Sequence, residues 1–217
     1  DTKMRSPLSE FWRRLKARRL AIFSGGLLGL LFLFAFAAPI FLPFTPDAFD
    51  YSNTLKEPSL LHWAGTDEFG RDVFARLMFG AKLSLLIGIS SVTIGAVIGV
   101  TFGLFAGYYG GWIDAVTMRL ADVLFAFPGI LLAIGIIAIL GPGILNVILA
   151  VAIFSVPAFA RIVRGGTLGL KESTYVEAAR AAGAPDRIIM FRHILPGILG
   201  AVIVYFTMRV GTSILTA

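Results

Sequence analysis

Five stretches of this chain are too long and too apolar to belong anywhere but inside a bilayer. A membrane-crossing helix needs about 20 mostly apolar residues. Runs meeting that length extend from about Leu20 to Pro43, from Leu83 to Gly107, from Trp112 to Leu140, from Ile144 to about Ala160 and from Gly197 to Ala217. Segments such as GLLGLLFLFAFAA lack the apolar–polar alternation of a transmembrane barrel, so the spans are expected to be helical. Composition agrees: 57% of the 217 residues are hydrophobic and 15% charged, with a mean hydropathy of +0.86. A soluble domain has about 25% charged residues. Water-soluble globular, disordered and disulfide-rich secreted classes are excluded. The fold class is an all-α membrane protein.

The chain has no cysteine, which removes a disulfide framework, a thiolate metal site and a cysteine nucleophile together. Its two histidines, His62 and His193, are far apart in sequence, so no histidine-rich metal centre is expected. A formal charge of +6 does not imply nucleic acid here, because in a membrane chain the placement of charge matters more than its sum.

Basic residues orient the spans. Seven precede the first (Lys3, Arg5, Arg13, Arg14, Lys16, Arg18, Arg19), and six lie between the fourth and fifth (Arg161, Arg164, Lys171, Arg180, Arg187, Arg192). The connection from first to second holds four basic residues against six acids. Residues 1–19 are therefore expected to be a cytoplasmic basic segment. Residues 20–217 would form the polytopic membrane domain, with an external loop at 44–82 and a cytoplasmic loop at 161–196. Ala35-Phe36-Ala37 has the form of a signal cleavage site, but the apolar run continues past it, so an uncleaved anchor is expected. Upstream, Phe11, Trp12, Leu15 and the arginines suit a short interfacial helix or a solvated basic tail. The last apolar run reaches Ala217 without a cap or flanking charge, and at least one further span is expected beyond it.

The 161–196 loop carries the most specific pattern. Thr174-Tyr175-Val176-Glu177 has the form of a capping box, Ala178 to Ala182 favour helix, and Gly183 is a natural stop. Pro185 suits the first turn of a second helix, which Pro196 should interrupt. The expectation is two short helices with a sharp bend outside the bilayer. An amphipathic loop lying on the headgroups is the plainer alternative.

These residues resemble a known family. Glu177-Ala178-Ala179, then Gly183, then Leu195-Pro196 are similar to the EAA signature of ATP-binding-cassette importer permeases. His193 departs from the broad pattern, and His-Ile-Leu-Pro is similar to the peptide-permease branch. Gly65-Thr66-Asp67-Glu68-Phe69-Gly70-Arg71-Asp72 and Asp122-Val123-Leu124-Phe125-Ala126-Phe127-Pro128 resemble that branch's second-subunit type. The resemblance implies a type I importer transmembrane domain in a bacterial inner membrane, forming half of a pathway for dipeptides, oligopeptides or glutathione. It also implies a second permease subunit, two cytoplasmic ATPases that bind ATP and magnesium, and a periplasmic or lipid-anchored substrate-binding protein. In the family the bent helix pair docks on the ATPase, with Glu177 facing it. The chain has no GxxxxGK[ST] phosphate loop, so it is expected to be no enzyme, to hold no cofactor and to bind no nucleic acid. A nickel or metal-chelate permease of the same family remains an alternative.

Two other classes fit less well. An ion-driven secondary transporter needs an internal repeat and an ion site at a broken helix, and no matching halves are visible. An intramembrane enzyme needs a nucleophile beside a base, and neither histidine lies within a span.

Three intramembrane charges, Arg119, Asp122 and Arg209, should face protein or a water-filled path. Asp114 is near enough to the boundary to be solvated. Counting residues along the spans puts Asp122 and Arg209 at similar depths, which predicts an ion pair between them beside the pathway, with Arg119 as a competing partner. Pro128 can kink the third span, so the pair is expected to form in one access state and break in the other. Gly95, Gly99, Gly103 and Gly107 share one helix face; packing within the subunit is the plain expectation, and sliding against a moving helix the sharper one. After Gly65–Asp72, the stripe Val73, Phe74, Leu77 and Met78 suggests a helix lying on the membrane boundary or a contact for a binding protein.

Overall fold

The computed structural model describes residues 18–42 and 44–216. The interfacial helix expected around Phe11, Trp12 and Leu15 lies outside the described residues, as do five of the basic residues used for orientation and Ala217. Among the described residues the structure is nearly all helix, with a single isolated bridge, Thr66 to Asp72. The helices are α1 (Arg19–Phe41), α2 (Val73–Tyr109), α3 (Gly111–Ala126), α4 (Gly129–Leu140), α5 (Ile144–Leu170), α6 (Thr174–Ala181), α7 (Asp186–Ile188) and α8 (Leu195–Thr216). A π-helical segment, Ile189–Ile194, joins α7 to α8.

Four of these stretches are long and apolar enough to cross a membrane, and α3 with α4 makes a fifth if the bent pair is one span. The third span, expected to kink at Pro128, turns by as much as 93° at Phe127-Pro128. Proline cannot donate its backbone amide and drives the preceding residue toward extended backbone, and Phe127 takes φ −92° and ψ 134°.

The chain divides into two compact units, residues 1–83 and 84–217, the boundary falling inside α2. In the first unit, α1 is apolar all round and leaves Leu20, Phe23, Leu33 and Phe36 exposed, as a helix facing lipid does. The expected boundary helix at Val73, Phe74, Leu77 and Met78 is instead the start of α2, which runs 37 residues without a break. At about 1.5 Å per residue, α2 is much longer than the hydrocarbon core is thick.

The loop before α2 is tied by polar contacts. Asp67 accepts hydrogen bonds from the amides of Phe69 (2.9 Å) and Arg71 (3.0 Å). Its other oxygen receives Arg71 Nε (2.8 Å) and Arg76 Nη1 (2.5 Å). The Arg71 guanidinium also lies over the rings of Phe69 and Phe49. Buried Asp72 caps α2 by accepting from the Ala75 amide and meets His62 Nδ1 at 2.9 Å. Gly70 has φ +72°, and a Cβ there would sit 1.7 Å from the Asp50 carbonyl oxygen, so no other residue fits.

The second unit is built on close contact between α2 and α5. A Cβ on Gly99 or Gly103 would lie 2.6 Å from the Val156 carbonyl oxygen or 2.4 Å from that of Ala160. Gly95 and Gly107 face Ser155 and Thr167 at similar range. The glycine face therefore packs two helices of one chain backbone to backbone. Leu104, Phe159 and Val163 fill the core beside it.

Candidate functional site

The segment carrying the Glu177 signature stands on that same core. Val176 of α6, Ile189, Met190 and Ile194 of the π-helical segment, and Ile198 and Val202 of α8 form one buried cluster with Val163, Phe159 and Leu104. Glu177, Ala178, Gly183 and Pro196 are exposed, while Ala179 and Leu195 are half-buried. The short helix thus presents its signature outward from a rigid apolar footing.

Local chemistry explains the shape. Ser173, not Thr174, is the residue before α6, and its carbonyl accepts from the Val176 and Glu177 amides. The expected capping box is absent: Thr174 is already in the first helical position, and the Ser173 hydroxyl donates back to the Leu170 carbonyl (2.5 Å). At the other end Gly183 takes φ +79°. The Gly183 amide reaches the Arg180 carbonyl and the Ala184 amide the Ala179 carbonyl, each a closing bond of the Schellman type. Gly183 is a stop, as its residue type implies.

Pro196 does not interrupt the second helix. Asp186–Leu215 is continuous, and the Leu195 amide bonds to the Met190 carbonyl five residues back. A π turn widens the backbone just before a residue that has no amide to donate and would otherwise crowd the fourth carbonyl behind it. Two side-chain ties fix the module: Tyr175 donates to the His193 carbonyl (3.3 Å), and Tyr108 at the end of α2 donates to Asp186 Oδ1 (2.6 Å).

The intramembrane charges are arranged differently from the expectation. Asp122 pairs with Arg161 of α5 (2.5 Å), whose guanidinium also lies over Phe125. Arg209 contacts Ser155 Oγ (3.2 Å) and the face of Phe154. The Asp122–Arg209 pair is not formed. Depth along one helix does not say which helices meet, and α3 packs its charged side on α5. Arg119 is exposed. Asp114, expected to be simply solvated, is held by Arg164 through both carboxylate oxygens.

Comparison with known proteins now bears directly on this arrangement. Residues 99–217 match the model of the "Binding-protein-dependent transport system inner membrane component" family, and residues 6–58 match the "N-terminal TM domain of oligopeptide transport permease C". Glutathione transport system permease protein GsiD of Pectobacterium atrosepticum is 52% identical over 218 residues, covering 100% of this chain and 72% of that protein. GsiD of Shigella sonnei is 53% identical over 216 residues, covering 99% and 71%.

The chain belongs to the binding-protein-dependent importer permeases.

Its transmembrane domain is of the type I importer class, in a multi-pass inner-membrane protein of the peptide-type branch. Such permeases work with ATPase and substrate-binding partners. Within this permease, sequence reasoning missed the α3–α5 clasp. Asp114 and Asp122 lie eight residues apart on α3, and Arg161 and Arg164 three apart on α5, so each helix carries its charges toward one side. In the sequence alone these arginines mark orientation and nothing more. Their spacing near a helix end was a signal, but its partner depended on which helices meet.

Proposed function

We propose that this permease forms half of the translocation pathway for short peptides, glutathione among them, and that α6 with the following turn is its contact with a cytoplasmic ATPase. The carrying observation is mechanical: exposed Glu177 stands next to fully buried Val176, whose neighbours run into the membrane core. A push on α6 is then passed to α5 and α8 as rigid-body movement instead of being absorbed by a loop. The cargo class is supported by two relatives named for glutathione transport, each matching nearly all of this chain.

In this reading a second, similar permease completes the pathway, and two ATPases bind ATP and magnesium and perform the hydrolysis. This chain holds no cofactor and catalyses nothing. A periplasmic or lipid-anchored binding protein delivers the peptide, and the N-terminus and α6 share the cytoplasmic side. The test uses the whole complex in proteoliposomes. Glu177→Lys should leave assembly intact and abolish peptide-stimulated ATP hydrolysis and import. Import at the normal rate would refute the coupling role. A reporter inserted after Gly166 should label as cytoplasmic and one near Asn53 as external; reversed labelling would refute the orientation.

A further inference from the structure

Arg209 is a half-buried cation that no carboxylate meets among the described residues. Its Nε is buried without a hydrogen-bond partner, and the Nη2 contact is to a neutral hydroxyl that itself donates to the Val151 carbonyl. The helices around it, α4, α5 and α8, contain no aspartate or glutamate. The two acids of α3 are engaged by Arg164 and Arg161, and Asp186 receives Tyr108.

The guanidinium lines a cavity of about 380 Å³ between these helices. Its other walls are apolar, among them Ile134, Ile137, Val147, Val151 and Phe154, with Thr212 beside the arginine. A guanidinium offers a planar fork matched to a carboxylate. Apolar walls exclude competing water and strengthen such a pair. Leaving the charge unpaired in a membrane interior is costly, and charges retained there generally mark a path for charged cargo.

We propose that this cavity is a carboxylate-reading subsite on the translocation path, where Arg209 receives the carboxylate of the passing peptide. The inference rests on the short-peptide reading above and deepens it. A terminal carboxylate is the anionic group that all unmodified peptides share, and the apolar walls accept variable side chains. A carboxylate from the second permease subunit is the other source of the same chemistry, and the test separates the two.

The complete complex, reconstituted with its binding protein, is assayed for import of glutathione and of its glycine-amide analogue. Arg209→Gln should lower the glutathione-to-amide import ratio at least tenfold, with complex yield and ATPase activity without peptide unchanged. Arg209→Lys keeps the charge but not the planar fork, so it should recover only part of the ratio lost in the glutamine variant; it guards against a folding defect in that variant. An unchanged ratio overturns the proposal. So does a loss of complex yield in Arg209→Gln that Arg209→Lys restores without altering the ratio, because that assigns the anion to the second subunit. Failure of the parent complex to import either compound would instead refute the peptide reading.

Discussion

The loop at 44–72 and the Glu177 module at 173–198 are both short connections between long helices, yet they are held by opposite means. The first is organised around charged and polar groups: Asp67 gathers two amides and two arginines, Asp72 meets His62, and Arg71 lies over two aromatic rings. The second is organised around a dry face of Val176, Ile189, Met190 and Ile194. Polar ties fix a shape but depend on protonation and salt. Packed apolar contacts are indifferent to both and transmit displacement. A surface that only has to hold its form suits the first construction; one that has to carry a push suits the second.

The contrast is broken most severely from the packed side. Ile189→Ala removes a fully buried side chain and should destabilise the module by about 3 kcal/mol. Hydrogen exchange over 174–194 should accelerate while that over 44–72 stays unchanged. Protection equal to the parent would show that the apolar footing does not hold the module.

Gly103→Ala comes next. Its new methyl group meets the Ala160 carbonyl oxygen at 2.4 Å, so α2 and α5 must separate, at a cost of about 2 kcal/mol. The checking measurement is the melting temperature of the assembled complex, which should fall. No fall would mean that the helices do not meet along this face.

Acid should open the polar loop alone. Partial burial opposes ionisation of Asp67, but the Arg71 and Phe69 amides and the Arg71 guanidinium prevail and hold its pKa at about 2. Because the folded value is depressed below the ordinary 3.8, the contribution is complete above that value and is lost as pH falls through about 2. Trp63, which packs on Phe74, reports the change by fluorescence once Trp12 and Trp112 are replaced by phenylalanine. Asp67→Asn should loosen the loop already at neutral pH and flatten the acid transition. An unaltered transition would remove Asp67 from the centre of the network.

The smallest effect sharpens the local account of α6. Thr174→Ala should cost less than about 0.5 kcal/mol, because Thr174 is not the cap. A working capping box would make the loss about 1 kcal/mol, measured as the change in hydrogen exchange at Val176 and Glu177.

What the sequence disclosed followed from local rules. Long apolar runs marked the spans, small residues at four-residue spacing marked a close helix contact, and Gly183 marked the end of α6. The outward placement of Glu177 was implied by the family resemblance, but its anchoring through Val176 was not legible, because the residues Val176 packs on come from α5, α8 and the π-helical segment. Pro128 was visible as a kink, but not that the chain would turn by 93° there. Pro196 looked like a stop because a regular α-helix was assumed; the wider turn at Ile189–Ile194 absorbs it. Asp122 found Arg161 and not Arg209 because ion pairing depends on which helices meet, a fact that residue counting along one helix does not contain. The Asp67 network was hidden for the same reason at shorter range: its donors are neighbours in sequence but converge only once the loop turns through Gly70.

The π-helical segment also sets an angular phase. A π turn holds one residue more than an α turn, so Ile189–Ile194 works as a single-residue insertion written into a helix. Deleting one residue there would restore regular winding and rotate everything before it by about 100° about the axis of α8, with a shift of about 1.5 Å along it. The aim of Glu177 relative to the membrane core is thus encoded by residue number as much as by side-chain chemistry. A lineage could re-aim this surface, and with it the proposed ATPase contact, by an in-frame loss of three nucleotides, leaving its composition almost untouched.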